Sequence, residues 1–323
     1  MKVNYQNNRD ISFKSIYNNK AFKKGLEFAA NNGTLFAATT TLALSGIRPL
    51  AILVTPKTDK KNKQVACAKS ITSSITGYII ALACSHPIAR GIKKIDKNPE
   101  KYLNQETIST LKEKGKALTE SKAYTMATQL FKLGLGFFIA APKAILTALG
   151  TPYILEMFNQ NETLENAQKP ISENIAFQGK NKIPKGVGKF INKKSVQNFV
   201  IKYKDSNFPM HIVAATDTLS TTAFVHQTAV SKKMKKDDKK PLIYNSIISS
   251  GLSIASTYLI DGITKEKTDK FIEKFKLANK NDPNLAKHIE GIKIAKPIVI
   301  AGCIYYILIP IISTFLADRV DSK

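Results

Sequence analysis

The sequence predicts an all-α, helical membrane protein built from two tandem three-helix repeats, with peripheral amphipathic helices outside the apolar layer. Three observations predict it. Six long apolar segments alternate with Lys-rich stretches, their apolar residues run continuously instead of alternating, and short blocks recur at a nearly constant spacing. AATTTL at Ala37 to Leu42 returns as AATDTL at Ala214 to Leu219, an offset of 177, and SITSS at Ser70 to Ser74 returns as SIISS at Ser246 to Ser250, an offset of 176.

The segments lie at about 30–55, 65–92, 123–157, 210–231, 242–263 and 294–317. Each exceeds strand length and is filled largely by Ala, Leu and Ile, so each reads as helix. This divides the chain into a flexible basic N-terminal segment (1–29), a first repeat (30–157), a basic linker (158–209) and a second repeat (210–323). The third helices align in register, with Gly134, Phe137, Phe138, Ile139 and Pro142 facing Gly302, Tyr305, Tyr306, Ile307 and Pro310. Each copy opens on a short related motif, ISFKS at Ile11 to Ser15 and IAFQG at Ile175 to Gly179. The charged stretches 93–122 and 264–293 carry TLKEKGKAL and KFIEKFKLA, whose spacing suits amphipathic helices.

A bilayer span needs about 20 mostly apolar residues. The last segment, IVIAGCIYYILIPIISTFLA, meets this without a single charge. The others are interrupted by Arg48, Lys69, Lys132, Lys143 or Asp217, and the mean hydropathy of the chain is slightly negative at −0.14. A soluble bundle with six buried helices is therefore the competing reading. Three spans per copy would invert the second copy relative to the first. Lys and Arg then divide almost evenly between the two sides, whereas two spans per copy gather more cations on one side and leave the copies parallel. The N-terminal stretch contains no apolar run suited to a cleavable signal peptide, so insertion would use internal segments.

Lys plus Arg number 49 against 24 Asp plus Glu, a net charge of +25, which favours an anionic partner. Only Arg9, Arg48, Arg90 and Arg319 are arginines, and Lys lacks the planar fork that reads guanine edges or paired phosphate oxygens. The expected partners are anionic membrane lipids and a protein partner or second copy, with no specific nucleic acid and no identifiable small-molecule substrate. Cys67, Cys84 and Cys303 sit in apolar runs as core residues, and the four histidines are too scattered to propose a metal site. No cofactor is expected. There is no GxSxG, P-loop, HExxH or Rossmann glycine pattern, so the chain is not expected to be an enzyme.

A cation deep in a bilayer costs about 2.5–3.5 kcal/mol on insertion scales. Arg48, Lys69, Lys132 and Lys143 are therefore candidate ion-path residues, and Asp217, which replaces Thr40 at the equivalent position, is their candidate partner. The plainer reading is that Lys69 and Lys132 reach the interface from near segment ends, and that the helix breaks at Arg48 beside Pro49. Ser70, Ser73, Ser74, Ser246, Ser249 and Ser250 place small residues on successive turns, a helix-packing signature. The function expected is a non-enzymatic membrane scaffold or interaction protein with basic loops at anionic lipid. Its rivals are a small transporter or channel using the interface between repeats, and a soluble basic helical protein that binds nucleic acid.

Overall fold

The computed structural model describes residues 17–159 and 182–321, and contains helices and turns but no strand among them. The opening motifs at residues 11–15 and 175–179 lie outside the described residues. The helices are α1 (Lys20–Asn31), α2 (Gly33–Leu53), α3 (Lys60–Ile80), α4 (His86–Lys97), α5 (Gln105–Leu111), α6 (Lys122–Asn159), α7 (Lys182–Ile191), α8 (Lys194–Tyr203), α9 (Phe208–Val230), α10 (Lys236–Ala278), α11 (Leu285–Cys303) and α12 (Ile309–Asp321). Single π turns, Ala81–Ser85 and Ile304–Leu308, join α3 to α4 and α11 to α12 into continuous rods.

Three stretches differ from expectation. Residues 20–31, read as part of a flexible segment, form α1 because Asn19 caps its first turn through Oδ1, and Phe22, Leu26 and Ala29 fall on one face. The stretch 158–209, read as a linker, contains α7 and α8, whose Val187, Ile191 and Val200 are fully buried. Residues 264–278 are not a separate peripheral helix but the continuation of α10. In each case short apolar spacing inside a Lys-rich sequence was enough for a helix that docks against neighbours.

Contacts fix the direction of every long helix. Asp96 meets Tyr124 at 2.6 Å and Thr72 lies opposite Gly150, so α3–α4 runs antiparallel to α6. Asn245 bonds Thr314 at 3.1 Å and Thr257 bonds Tyr305 at 2.7 Å, so α10 runs antiparallel to α11–α12. The remaining pairings cross between the two halves. Helix α2 runs parallel to α11, with Gly33 against Ile294 and Leu44 against Gly302. Helix α9 runs parallel to α6, tied by Lys122–Asp205 at one end and Lys233–Tyr153 at the other. At the centre α3 and α10 lie side by side and parallel, through Lys61–Asp238 at 3.4 Å and Lys69–Ser246 at 2.7 Å. The halves thus run in the same direction, against the inversion that three spans per copy would impose.

The bundle has a tip, where the α2–α3 and α9–α10 turns meet the end of α12, and a base built by the shorter helices. Two small cores fill the base. One gathers Ile95, Leu111, Tyr124, Val187, Ile191 and Val200; the other gathers Tyr17, Leu26, Ile272, Phe275 and Ile292. In both, the helix that precedes one half docks on the other half: α1 on α10 and α11, and α7 on α4. Helix α1 comes so close to α11 that a Cβ on Gly291 would collide with the Leu26 carbonyl oxygen.

The rods Lys60–Lys97, Lys122–Phe158 and Leu285–Asp321 are long and apolar enough to cross a bilayer, and only 22% to 38% of their most apolar stretches is buried. Their apolar side chains face outward, Phe138 being 76% exposed, with Ile79, Leu146, Leu259 and Leu308 more than half exposed around the same belt. The chain reaches Asn159 at the tip and is next described at Lys182 at the base.

Docking of α1 depends on an ionic cluster. Lys23 Nζ bonds Asp282 Oδ2 at 2.7 Å, and the buried His288 ring lies between Glu27 (3.1 Å) and Asp282 (3.4 Å). The Lys23 ammonium, and after it the Asn284 backbone N–H, hold the Asp282 carboxyl below its usual range. A depressed carboxylate stabilises the fold above its unfolded value of about 3.9 and ceases to do so as pH falls through the folded value. Amide hydrogen exchange in residues 20–31 is therefore expected to be slow at pH 6 and to accelerate, relative to the bundle centre, below about pH 4. Asp282→Asn is expected to show the faster exchange already at pH 6.

Candidate functional site

Four of the five charges singled out by the sequence meet in one place. Arg48 from α2, Lys69 from α3, Lys143 from α6 and Asp217 from α9 line a cavity of about 210 Å³. Helix α10 closes it with Ser246, Ser249, Ser250 and Ser253. The fifth, Lys132, is exposed and lies on the wall of an adjoining cavity of about 530 Å³. Both cavities have Lys143, Asp217 and Ser220 on their walls, so they adjoin there, and the larger one is otherwise walled mainly by apolar residues such as Ile80, Leu135 and Ile139.

Each helix brings its polar groups at one-turn spacing. Lys69 and Ser73 are four residues apart, as are Lys143 and Thr147; Asp217, Ser220, Thr221 and Phe224 form one stripe, and Ser246, Ser249, Ser250 and Ser253 another. Residues so spaced share a helix face, and these faces point inward while the apolar faces point out.

The local geometry holds each charge differently. Helix α2 continues through Pro49 to Leu53, so the helix does not break at Arg48. Arg48 stays half-buried, and its Nε makes no hydrogen bond. Lys69 donates to Ser246 Oγ at 2.7 Å and sits 4.8 Å from the Phe224 ring centroid, while Ser246 passes its own proton to the Leu242 carbonyl at 2.5 Å. The Lys143 ammonium rests against Gly77, 3.3 Å from where a Cβ would stand. Among the described residues no carboxylate comes within ion-pair distance of Arg48, Lys69 or Lys143. Asp217 is the one acid on the cavity wall, close enough to attract Lys143 but not paired with it. The wall thus holds three basic side chains and one acid.

The six packing serines separate. Ser73, Ser246, Ser249 and Ser250 face the cavity. Ser70 is buried, and Ser74 donates back to the Ser70 carbonyl at 2.9 Å. The sequence reading did not single out Thr147, Ser220, Thr221, Phe224 or Ser253. Their one-turn spacing from Lys143, Asp217 and Ser246 was the signal that could have found them. No family model matches this chain, and no curated protein or solved structure is significantly similar to it.

Half-buried cations without a carboxylate partner carry a desolvation cost that apolar side chains of similar volume do not. Arg48→Met and Lys69→Met are therefore expected to raise the thermal unfolding temperature of the purified protein. Asp217→Asn removes the only compensating charge and is expected to lower it, most strongly at low ionic strength.

Proposed function

We propose that the chain is a multi-pass membrane protein of two similar three-helix halves that passes a small solute through the polar cavity between them, as a transporter or channel. The observation that carries this reading is the convergence of Arg48, Lys69, Lys143 and Asp217, from four helices, on one hydroxyl-lined cavity. A scaffold acting through its loops has no use for unpaired charges at the centre of its bundle. A nucleic-acid binder would carry its cations on an outer face instead.

Other features support the membrane placement and the repeated architecture. The apolar belt faces outward, and both ends of the bundle are polar. The helix pairings of one half have counterparts in the other.

Two measurements test this. Reporter fusions at residues 57 and 237 are expected on one side of the membrane and fusions at 103 and 282 on the other; release of the protein by carbonate washing overturns the placement. Purified protein in liposomes is expected to carry solute, with Lys143→Ala and Arg48→Ala each lowering the rate tenfold or more. Equal flux in wild type, both variants and empty liposomes overturns transport.

A further inference from the structure

We infer that the cavity is a binding site for a small oxyanion of the phosphate or sulfate type, held by Arg48, Lys69 and Lys143 with help from the hydroxyls of Ser73 and Ser249. The inference rests on the same cavity as the transport reading and names the class of solute it takes.

The argument starts from what the site lacks. Guanidinium and ammonium groups only donate hydrogen bonds, and when removed from bulk water they require acceptors. Arg48 Nε has none. Lys69 has three protons and one protein acceptor, Ser246 Oγ, which itself donates to Leu242 and so remains free to accept. Hydroxyls add further donors, and Asp217 is the only wall residue with a negative charge. The missing partner must therefore be rich in acceptors, carry negative charge and be small.

The charge balance narrows the class. Basic side chains outnumber the one acid on the wall, which favours an anion, and an oxyanion offers several acceptor oxygens where a halide offers one centre. A cavity of about 210 Å³ has room for a tetrahedral oxyanion. The adjoining cavity of about 530 Å³, walled partly by Ile80, Ile88, Leu135 and Ile139, admits either hydrated free ions or the remainder of a lipid whose headgroup phosphate occupies the site. Free ion and headgroup share one chemistry, and experiment separates them.

The test uses the full chain in uncharged detergent, following unfolding temperature as ligand is titrated at constant ionic strength. Inorganic phosphate or sulfate is expected to stabilise the protein saturably and well beyond chloride, which identifies a free ion as the source. Stabilisation by short-chain phosphatidylglycerol, with none from inorganic phosphate, still supports the site and identifies a lipid headgroup as the source. Arg48→Gln and Lys143→Gln are each expected to weaken binding at least tenfold, Arg48→Lys to weaken it less, and Asp217→Asn to tighten it. Two outcomes overturn the proposal: neither ligand exceeds chloride, or Arg48→Gln and Lys143→Gln, while folded, bind as wild type does. Oxyanion binding without flux removes the transport reading and leaves this one standing. Flux of a neutral or cationic solute without oxyanion binding does the reverse.

Discussion

Three cations and a single carboxylate, held together inside a helical bundle, are the constraint around which the rest of this structure is arranged. Charges taken from water cost several kcal/mol each unless they are matched. Four helices, α3, α6, α9 and α10, meet the cost only in part, by turning their hydroxyl-bearing faces inward. Because those faces are spent on the cavity, the apolar faces of the same helices are left outside, where Phe138, Leu146 and Leu259 are exposed. Polar centre and apolar exterior are one arrangement seen from two sides.

Much of the stability of such an arrangement has to come from elsewhere. The base supplies it through two compact cores, each assembled from the ends of long helices and a short helix from the other half. Leu26 and Tyr17 bind the N-terminal region to α10 and α11, while Val187 and Ile191 bind α7 to α4 and α6. Neither half can close its base without the other. That mutual dependence aligns the parallel helices α3 and α10, and their alignment sets the positions of Lys69 and Ser246 across the centre.

The helical class, the six apolar segments and the four central charges were legible in the sequence, because a charge interrupting an apolar run stands out whatever surrounds it. Their convergence was not. It depends on which helices pair across the halves and in which direction, and nothing local to Arg48 or Asp217 carries that information. The parity argument for inversion failed for a related reason: it assumed that the chain stays on one side between 159 and 182, whereas those residues lie at opposite ends of the bundle. Helices α1, α7 and α8 were missed because their apolar positions are few and set among lysines, and tertiary docking, rather than propensity, makes them helical.

The two halves share a layout but not a chemistry, and this bears on what the cavity can do. Helices α3 and α10 run side by side through the centre, and Lys69 meets Ser246 there. A second lysine at Ser246 would face the Lys69 ammonium, and their repulsion would push the two helices apart. The serine instead accepts from the lysine and draws them together. The cavity's cations come from α2, α3 and α6, while α9 and α10 bring the one acid, Asp217, and most of the hydroxyls. With the cations on one set of helices and a single acid on another, these charges are met by hydroxyls and an aromatic ring instead of by ion pairs.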